Sequence, residues 1–362
     1  MKSGVNSDGG LPARLLSAPV TRLSEDDALA LYHDADLLDL GVSAQRVRRS
    51  FHGDGPVTFL VDRNINYTNI CVNRCRFCAF FRDEQSSQAF LLGHDDIEDR
   101  VDEAVRQGAT QVMLQGGLHP GLGLEWFTTL FRRIKERHAV HLHSLSPPEI
   151  HHLAALSGET VPHVLHLLAE AGLDSLPGGG AEILVDHVRR RISPLKIRSA
   201  QWLAVMEAAH AAGIPTTATM MFGVGETSRD RIKHLQRVRD LQDRTGGFLS
   251  FIPWSFQPAN TDLGEGGAST LAYLRTLAVS RIFLDNIPNI QGSWVTQGPE
   301  VGQISLHFGA NDLGSIMLEE NVVRAAGTSH RLTREEMVRT ILATGYLCAQ
   351  RDTLFNIIKA CG

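Results

Sequence analysis

Short apolar runs alternate with longer amphipathic stretches along the chain after residue 56. The longer stretches, such as DDIEDRVDEAVRQG and SAQWLAVMEAAHAAG, place apolar residues at helical spacing. Strands that alternate with helices indicate parallel βαβ units, and eight such units close into a barrel. The pattern therefore predicts an α/β fold, a (β/α)8 TIM-type barrel. Its predicted strands lie in VTFLVD (57–62), TQVMLQGG (110–117), AVHLHSLSP (139–147), LDSLPGGGAEI (173–183), PTTATMMFG (215–223), FLSFIPWSF (248–256), NIPNIQGSW (286–294) and QISLHFGAND (303–312).

Segments with a different pattern flank the predicted barrel. Residues 1–55 predict an N-terminal helical extension, because Ser24 followed by Asp27 is typical of a helix start and apolar residues follow at helical spacing. Residues 56–315 form the predicted barrel core, which no long linker interrupts. Residues 316–362 predict a C-terminal helical cap that closes one end.

The composition limits the function classes. The chain has 362 residues, is 43% hydrophobic and carries a formal net charge of −5, as expected for a globular protein. Slight acidity without a long Lys/Arg run argues against a nucleic-acid partner. Arg189–Arg191 is interpreted as a solvated helix face, with phosphate or carboxylate binding as the lesser alternative. No stretch resembles a signal peptide or has the roughly 20 apolar residues that cross a bilayer, so we predict a cytoplasmic protein without a membrane partner.

Unusual residues concentrate at the predicted carboxyl ends of the strands. These ends carry the active site in (β/α)8 barrels. Turn formation explains the Gly and Pro found there, but not the His, Gln, Glu and Trp. The segments concerned are the cysteine-containing loop, QGG, HSLSPPE, GGGAE, FGVGE, WSFQP, SWVTQGP and GAND.

Three of the five cysteines fall in the stretch RNINYTNICVNRCRFCAFFR (63–82): Cys71, Cys75 and Cys78. Thiolates are the usual ligands of iron–sulfur clusters, and three of them leave one iron of a four-iron cluster free to bind a further ligand. Alternatives are a zinc site, with His94 or His52 as a further donor, and a redox Cys-x-x-Cys that leaves Cys71 without a role. We favour the cluster. Cys348 and Cys361 are interpreted as ordinary thiols.

The motif Cys-x-x-x-Cys-x-Phe-Cys after the first predicted strand resembles the radical S-adenosylmethionine (SAM) superfamily. The resemblance implies one 4Fe-4S cluster held by Cys71, Cys75 and Cys78, with SAM bound at the open iron. Reduction of the cluster by an external electron donor, such as flavodoxin or ferredoxin, then yields a 5′-deoxyadenosyl radical. Phe77 either lies beside the SAM adenine or simply packs the loop.

Longer stretches carry a narrower resemblance. DRNINYTNICVNRCRFCAFFR, LHSLSPPEI, GLDSLPGGGAEIL, SWVTQGPEVGQ and FGANDLGSIMLEENVVRAAGT look like the family of cyclic dehypoxanthine futalosine synthases in the futalosine route to menaquinone. The implied reaction takes a hydrogen atom from the ribose of dehypoxanthine futalosine and closes a ring onto its benzoate. The alternatives are an aminofutalosine synthase or a deazaflavin (FO) synthase, which join two molecules, and, remotely, a zinc-stabilised binding protein.

The resemblance implies cofactor contacts at several strand ends. Gln115, Gly116 and Gly117 resemble a Gly-Gly motif that approaches the SAM amino group, although the glycines also fit a tight turn. Glu182 matches a position that binds the SAM ribose, and the alternative is a helix-terminal residue favoured by the helix dipole. Gly223 lies at the strand end expected near the adenine.

Aromatic and imidazole side chains at other strand ends are candidates for substrate binding. His141 and His143 are two residues apart and therefore face one side of the third strand, and we assign His143 to the substrate. Trp254 and Trp294 are possible stacking walls, although aromatic residues near strand ends more often serve packing.

The last predicted strand ends in Asn311 and Asp312. Asn311 is a candidate substrate ligand. Asp312 is the predicted catalytic residue, as the acceptor of the proton that is released when the benzoate ring becomes aromatic again. The alternatives are that Asp312 orients a ribose hydroxyl or caps the following helix.

Overall fold

The computed structural model describes residues 22–362; the first 21 residues of the predicted N-terminal extension lie outside it. The helices are α1 (Glu25–Asp34), α2 (Leu37–His52), α3 (His94–Arg106), α4 (Leu124–Arg137), α5 (Pro147–Ser157), α6 (Val161–Ala171), α7 (Asp186–Ile192), α8 (Ser199–Ala211), α9 (Ser228–Thr245), α10 (Thr270–Phe283), α11 (Trp294–Gln297), α12 (Pro299–Ser305), α13 (Val322–Ala325) and α14 (Arg334–Leu342). The strands are β1 (Val57–Leu60), β2 (Asp62–Ile65), β3 (Gln111–Leu114), β4 (His141–Leu142), β5 (Thr216–Phe222), β6 (Phe248–Ser255), β7 (Asn289–Ile290), β8 (Asp312–Ser315), β9 (Cys348–Arg351) and β10 (Ile357–Cys361).

Parallel pairings link the strands in chain order. β2 pairs with β3, β3 with β4, β5 with β6 and β6 with β7, while β8 pairs with β1, which continues directly into β2. The predicted α/β architecture with parallel strands is confirmed. Single parallel bridges join the sheets between these pairs: His143–Ser175, Leu176–Thr216 and Gln291–Asp312.

The N-terminal helices start as the sequence predicts. The Ser24 hydroxyl accepts a hydrogen bond from the Asp27 backbone N–H at 3.1 Å, and the Asp27 carboxylate accepts one from the Ser24 backbone N–H at 3.1 Å. This reciprocal capping satisfies donors that a helix start leaves free. α1 and α2 then pack on α10, where the Arg275 guanidinium donates to the Ala35 carbonyl at 2.8 Å. Among the described helices, none combines the length and apolar character needed to cross a bilayer.

The prediction that residues 316–362 form a helical cap is wrong for the segment after α14. That segment forms two strands: β9 pairs parallel with β1, and β10 pairs antiparallel with β9. The buried Arg351 side chain explains the position of β9, because its guanidinium ion-pairs with Asp312 of β8 at 2.6 Å. A buried charge is stable only when it is paired. In this register Cys348 lies opposite Cys361.

Arg189 also differs from its predicted surface position. Its side chain is fully buried, and its guanidinium donates to the carbonyls of Gly180 at 3.1 Å and Ile197 at 2.7 Å. Five N–H donors allow one guanidinium to satisfy several carbonyls of an irregular segment. Arg189 therefore does not lie on a solvated helix face. Its side chain instead holds the backbone around the GGGAE stretch.

Candidate active site

A cavity of about 310 Å³, the lumen, lies between the parallel strands. Alternate residues of each strand line it, because successive side chains of a strand point to opposite faces. Polar side chains stand in its wall among apolar ones such as Leu60, Met113 and Ile252, whereas barrel interiors are usually filled by branched apolar side chains. A cavity of this kind suits a small molecule that has both hydroxyl groups and apolar parts. The strand residues that line it include Asp62, Asn64, Gln111, His143, Thr217, Thr219 and Ser250.

The segment that follows β9 completes part of the lumen wall. Arg351, Thr353 and Phe355 line the cavity. The Thr353 hydroxyl donates to Gln111 Oε1 at 2.7 Å, and Gln111 Nε2 donates to Asp62 Oδ2 at 2.8 Å. Burial raises the pKa of Asp62. The C-terminal strands therefore belong to the candidate site.

The loop between β2 and α3 carries Cys71, Cys75 and Cys78, all as free thiols. Cys75 is buried, and the other two are half-buried. The loop is also tied to the end of α7, where the Arg76 backbone N–H donates to the Ile192 carbonyl at 2.9 Å. Cys71 and Cys78 act electrostatically on Cys75, so one ordered loop carries three thiols that lie near one another.

Side chains just before the cysteines order this loop. The Thr68 hydroxyl donates to the Phe90 carbonyl at 2.6 Å, and the Phe90 backbone N–H donates to Asn69 Oδ1 at 2.9 Å. Asn66 Nδ2 donates to the Gln115 carbonyl at 2.8 Å. Asn and Thr side chains bond readily to loop backbone. The N-x-T-N stretch therefore joins the cysteine loop to the end of β3.

The three thiols fit an iron–sulfur cluster. Burial raises the pKa of Cys75 to about 12, and the thiolates of Cys78 and Cys71 raise it as well, so a thiolate there needs a cation such as iron. In residues 22–362, no three His, Cys, Asp or Glu side chains converge on one metal ion, which a zinc site requires. Ligands of a four-iron cluster bind separate iron atoms and need no such convergence. The donor set therefore favours the cluster over the zinc alternative.

Gly116 and Gly117 lie where a side chain would collide with the cysteine loop and its support. A Cβ at Gly117 would come within 2.2 Å of the Ile70 carbonyl oxygen and 3.0 Å of Cys71 Cβ. A Cβ at Gly116 would come within 2.7 Å of the Tyr67 ring. Close approach therefore explains both glycines, since neither has a positive φ. Gln115 lines the lumen beside them.

Glu149 is a site residue that the sequence analysis missed. Its Oε1 accepts hydrogen bonds from the Tyr67 hydroxyl at 2.7 Å and from the Gly116 backbone N–H at 3.1 Å, and its carboxylate also accepts one from the Ser146 hydroxyl. Burial raises the pKa of Glu149 to about 7. The only sequence feature that could have pointed to Glu149 is the stretch Ser146-Pro-Pro-Glu149. It resembles an ordinary capping box at a helix start and therefore did not indicate a site residue. The carboxylate instead reaches across to the glycine segment.

Glu182 lines the lumen but is already ion-paired. Its Oε1 lies 2.9 Å from Lys196 Nζ, and its Oε2 lies 3.4 Å from Arg189 Nη1. Burial lowers the pKa of Lys196, but Glu182 and Cys75 raise it more, so the net shift is upward. Lys196 Nζ also lies 5.2 Å from the Phe77 ring centre. A charged lysine, which no sequence pattern marked, therefore stands between Glu182 and the cysteine loop.

Gly223 faces a neighbouring loop and is not among the residues that line the lumen. It has a positive φ of 88°, and a Cβ there would come within 2.6 Å of the Gly267 carbonyl. Its backbone N–H donates to Glu226 Oε1 at 2.8 Å, and Glu226 pairs with Arg231 at 2.7 Å. The structure thus explains the glycine by backbone packing, and its predicted place near an adenine stays a prediction.

Two of the predicted substrate residues line the lumen. His143 is buried, and Trp254 is half-buried. His143 Nδ1 lies 2.6 Å from Ser175 Oγ. Burial lowers the pKa of His143 to about 3, so the ring is neutral at physiological pH. His143 is therefore a candidate to donate or accept a hydrogen bond with a bound molecule as a neutral ring.

Trp294 and Asn311 are not lumen residues, in contrast to their predicted role. Trp294 is buried, and its indole N–H donates to the Ser315 carbonyl at 3.1 Å. Asn311 Oδ1 accepts from Arg281 at 2.7 Å and from the Ile290 backbone N–H at 2.9 Å. Both side chains hold the β7–β8 region together, and their predicted contacts with a substrate stay predictions.

Asp312, the predicted proton acceptor, has a fully hydrogen-bonded carboxylate, and its catalytic role stays a prediction. Its carboxylate accepts from Arg351 through two N–H groups at 2.6 and 2.8 Å, from the Thr58 hydroxyl at 2.5 Å and from the Gly314 backbone N–H at 2.7 Å. These four bonds fill the acceptor positions of a carboxylate. Asp312 therefore positions Arg351 and β9.

Comparison with known proteins defines the class. Residues 65–238 match the model of the radical SAM superfamily, and residues 245–361 match the model described as the CofH/MqnC C-terminal region. Methylornithine synthase (PylB) has a similar fold, with a TM-score of 0.71 at 18% identity over 93% of this chain and 96% of that one. The chain belongs to the radical SAM superfamily, whose members use a 4Fe-4S cluster and SAM, and it is an enzyme.

Relatives narrow the position within this superfamily. A cyclic dehypoxanthine futalosine synthase of Halalkalibacterium halodurans is 46% identical over 340 residues, which cover 93% of this chain and 92% of that protein. A 5-amino-6-(D-ribitylamino)uracil–L-tyrosine 4-hydroxyphenyl transferase of Methanopyrus kandleri is 43% identical over 312 residues, which cover 84% and 85%. The chain is thus a radical SAM enzyme of the group that carries the CofH/MqnC C-terminal region.

Proposed function

We propose that the enzyme cyclises dehypoxanthine futalosine to its cyclic, spiro form in menaquinone biosynthesis. The observation that carries this proposal is the 46% identity to the Halalkalibacterium synthase along almost the whole chain. The polar side chains of the lumen support it, because a ribose offers several hydroxyl groups to Asp62, Asn64 and Gln111. The half-buried Trp254 ring on the same wall offers an apolar face for the benzoate.

Cys71, Cys75 and Cys78 are the ligands that would hold the cluster, one cysteine to each of three irons. When bound, the cluster and SAM supply a 5′-deoxyadenosyl radical for hydrogen abstraction. Glu149 fixes the Gly116 backbone beside the cysteine loop, and Lys196 keeps a positive charge there. These two side chains orient the loop and compensate thiolate charge.

The SAM contacts follow from this arrangement. Gln115, Gly116 and Gly117 border the cysteine loop and are assigned to the methionine part of SAM. Glu182 is assigned to the ribose, and Phe77 and Gly223 to the surroundings of the adenine. Glu182 keeps free lone pairs for hydroxyl donors even while it pairs with Lys196 and Arg189.

The broader setting is part of the same proposal. Residues 56–315 make up a closed (β/α)8 barrel core, to which the α1–α2 extension and the β9–β10 segment attach. The enzyme works in the cytoplasm, where a flavodoxin or ferredoxin donates the electron. Neither nucleic acid nor a membrane is a partner.

An anaerobic assay tests the reaction. The enzyme is reconstituted with iron and sulfide and incubated with SAM, a reductant and dehypoxanthine futalosine deuterated at the ribose 4′ carbon. We expect deuterium in 5′-deoxyadenosine and a product that lacks two hydrogen atoms of the substrate. Formation of 5′-deoxyadenosine only with L-tyrosine and 5-amino-6-(D-ribitylamino)uracil would instead assign the activity of the Methanopyrus relative.

Two cysteine variants provide a matched pair for the cluster. Cys75→Ala removes a thiol of the loop, whereas Cys348→Ala removes a buried thiol of β9. We expect Cys75→Ala to lose SAM cleavage while circular dichroism stays native, because a ligand is lost from a loop and not from the core. Cys348→Ala should cleave SAM normally. Equal activity of the two variants would contradict the assignment of the cluster to the loop.

A further inference from the structure

One buried hydroxyl connects two histidines of β4 and its continuation. His143 Nδ1 lies 2.6 Å from Ser175 Oγ, and His141 Nε2 lies 2.7 Å from the same oxygen. Ser175 is fully buried, whereas His141 is half-buried at the start of β4. The three side chains thus form a continuous hydrogen-bonded chain that begins at the lumen wall and ends at a partly exposed ring.

The hydrogen-bonding inventory allows two arrangements of this chain. A neutral imidazole has one donor and one acceptor nitrogen, and a hydroxyl donates once. In the first arrangement, His143 Nδ1–H donates to Ser175, and Ser175 donates to His141 Nε2. In the second, both bonds are reversed. Passing one proton along the chain converts the first arrangement into the second.

The lumen end of the chain is open in the first arrangement. His143 lines the lumen, its Nδ1 is occupied by Ser175, and its Nε2 has no hydrogen-bond partner among the described residues. That nitrogen then carries a lone pair for a proton from a bound molecule. No comparable acceptor is offered by Asp312, whose oxygens are all engaged.

Electrostatics favour transfer over storage of the proton at His143. Burial, with smaller contributions from His141 and Arg351, lowers the pKa of His143 to about 3, so the ring cannot keep a charge at neutral pH. It can accept at Nε2 only while it releases at Nδ1. Burial also lowers the pKa of His141, and Lys135 acts in the same direction. The carboxylates of Asp174 and Asp352 act in the opposite direction and raise the pKa of His141.

We propose that His143, Ser175 and His141 form a relay that carries a proton from the substrate out of the lumen. The proposal rests on the cyclisation proposed above, in which the cyclised radical must lose a proton and an electron to become aromatic. The C–H bond of the ring breaks, its proton binds His143 Nε2, the Nδ1 proton passes to Ser175 Oγ, and the hydroxyl proton passes to His141 Nε2. The electron goes to an acceptor of the iron–sulfur class. His143 is the catalytic residue, and Ser175 and His141 act through it.

The tautomer of His143 tests the relay without cofactor or substrate. We expect 15N NMR of the histidine-labelled enzyme at neutral pH to show His143 as the Nδ1–H tautomer, with its signals assigned by their loss in His143→Gln. An Nε2–H tautomer would overturn the proposal, because the nitrogen that faces the lumen would then have no lone pair to accept a proton.

A matched pair of variants tests the transfer itself. Ser175→Thr and Ser175→Val add the same branch to a buried strand position, but only threonine keeps a hydroxyl. We expect Ser175→Val to form 5′-deoxyadenosine at the Ser175→Thr rate with the same KM, and to yield cyclised product about a hundredfold less per 5′-deoxyadenosine, since a positioned acid–base group contributes about that much. Equal product yields from the two variants would refute the relay.

A second variant covers the case in which neither Ser175 variant folds. His141→Asn can still accept from Ser175 but cannot carry the proton further, and it changes a half-buried position. The same loss of product yield is expected, and a normal yield would count against the relay. If the wild-type enzyme forms no cyclised product at all, the proposed function fails, and the tautomer measurement alone then decides the relay.

Discussion

Single buried side chains fix the cysteine loop against the end of β3. Glu149 binds Tyr67, Gly116 and Ser146 at once, so one carboxylate joins the segment before the cysteines to the end of β3. Buried polar groups are tolerated when they are fully hydrogen-bonded. Its charge still costs free energy, as the raised pKa of about 7 shows.

The pKa of Glu149 predicts a pH dependence of stability. In the folded enzyme the group keeps a proton up to about pH 7, whereas its ordinary value is 4.5, so between these values the unfolded chain binds fewer protons. The free energy of unfolding therefore falls as pH rises, by about 2 kcal/mol between pH 5 and pH 7. Glu149→Gln should remove this part of the slope in urea titrations of the cofactor-free enzyme. Parallel slopes for the two proteins would contradict the prediction.

Elements are held together at this site by close backbone approach as well as by side chains. The end of β3 touches the cysteine loop at Gly117, while Asn66 bonds to the Gln115 carbonyl from the opposite direction. The loop is thus clamped between a strand end and its own flanking residues.

A glycine pair tests this clamp. Gly117→Ala places a methyl group 2.2 Å from the Ile70 carbonyl oxygen, whereas Gly123→Ala meets no atom within 4 Å. Overpacking of this kind costs about 1–3 kcal/mol, and here the loop must move to relieve it. We expect Gly117→Ala to bind several-fold less iron and sulfide per chain after anaerobic reconstitution, and Gly123→Ala to bind normal amounts. Full iron content in Gly117→Ala would show that the contact is unimportant.

At the scale of the whole molecule, the buried ion pair between Arg351 and Asp312 connects the β9–β10 segment to β8. The pair is formed by two N–H···O bonds, and both side chains are buried. Because Arg351 also lines the lumen, the pair joins overall stability to the shape of the candidate site. Asp312 therefore lies next to the candidate site, where it positions Arg351.

A double-mutant cycle measures this connection. Arg351→Met leaves Asp312 buried without its partner, and we expect the free energy of unfolding to fall by about 3–5 kcal/mol. Asp312→Asn in the same chain removes the stranded charge and keeps partners for Thr58 and Gly314, so part of the loss should be regained. Additive losses in the double variant would mean that the two residues do not act as a pair.

The sequence predicts the parallel strands, the cysteine loop and the candidacy of His143 and Trp254 for substrate binding, because periodicity and strand ends are local signals; it left open which side of its strand His143 faces. The sequence analysis did not find Glu149 and Lys196, because their partners are distant in the chain and no motif marks either residue. The partners of Asn311 and Asp312 could not be predicted either, because Arg281 and Arg351 lie 30 and 39 residues away from them in the chain.

The contact between β1 and β9 has a consequence for synthesis in the cell. β1 leaves the ribosome long before β9 is translated, so one edge of its first residues stays unpaired on the nascent polypeptide. An open strand edge invites pairing with other chains. Rapid overexpression should therefore favour inclusion bodies, and slower translation or a chaperone that shields this edge should raise the soluble yield.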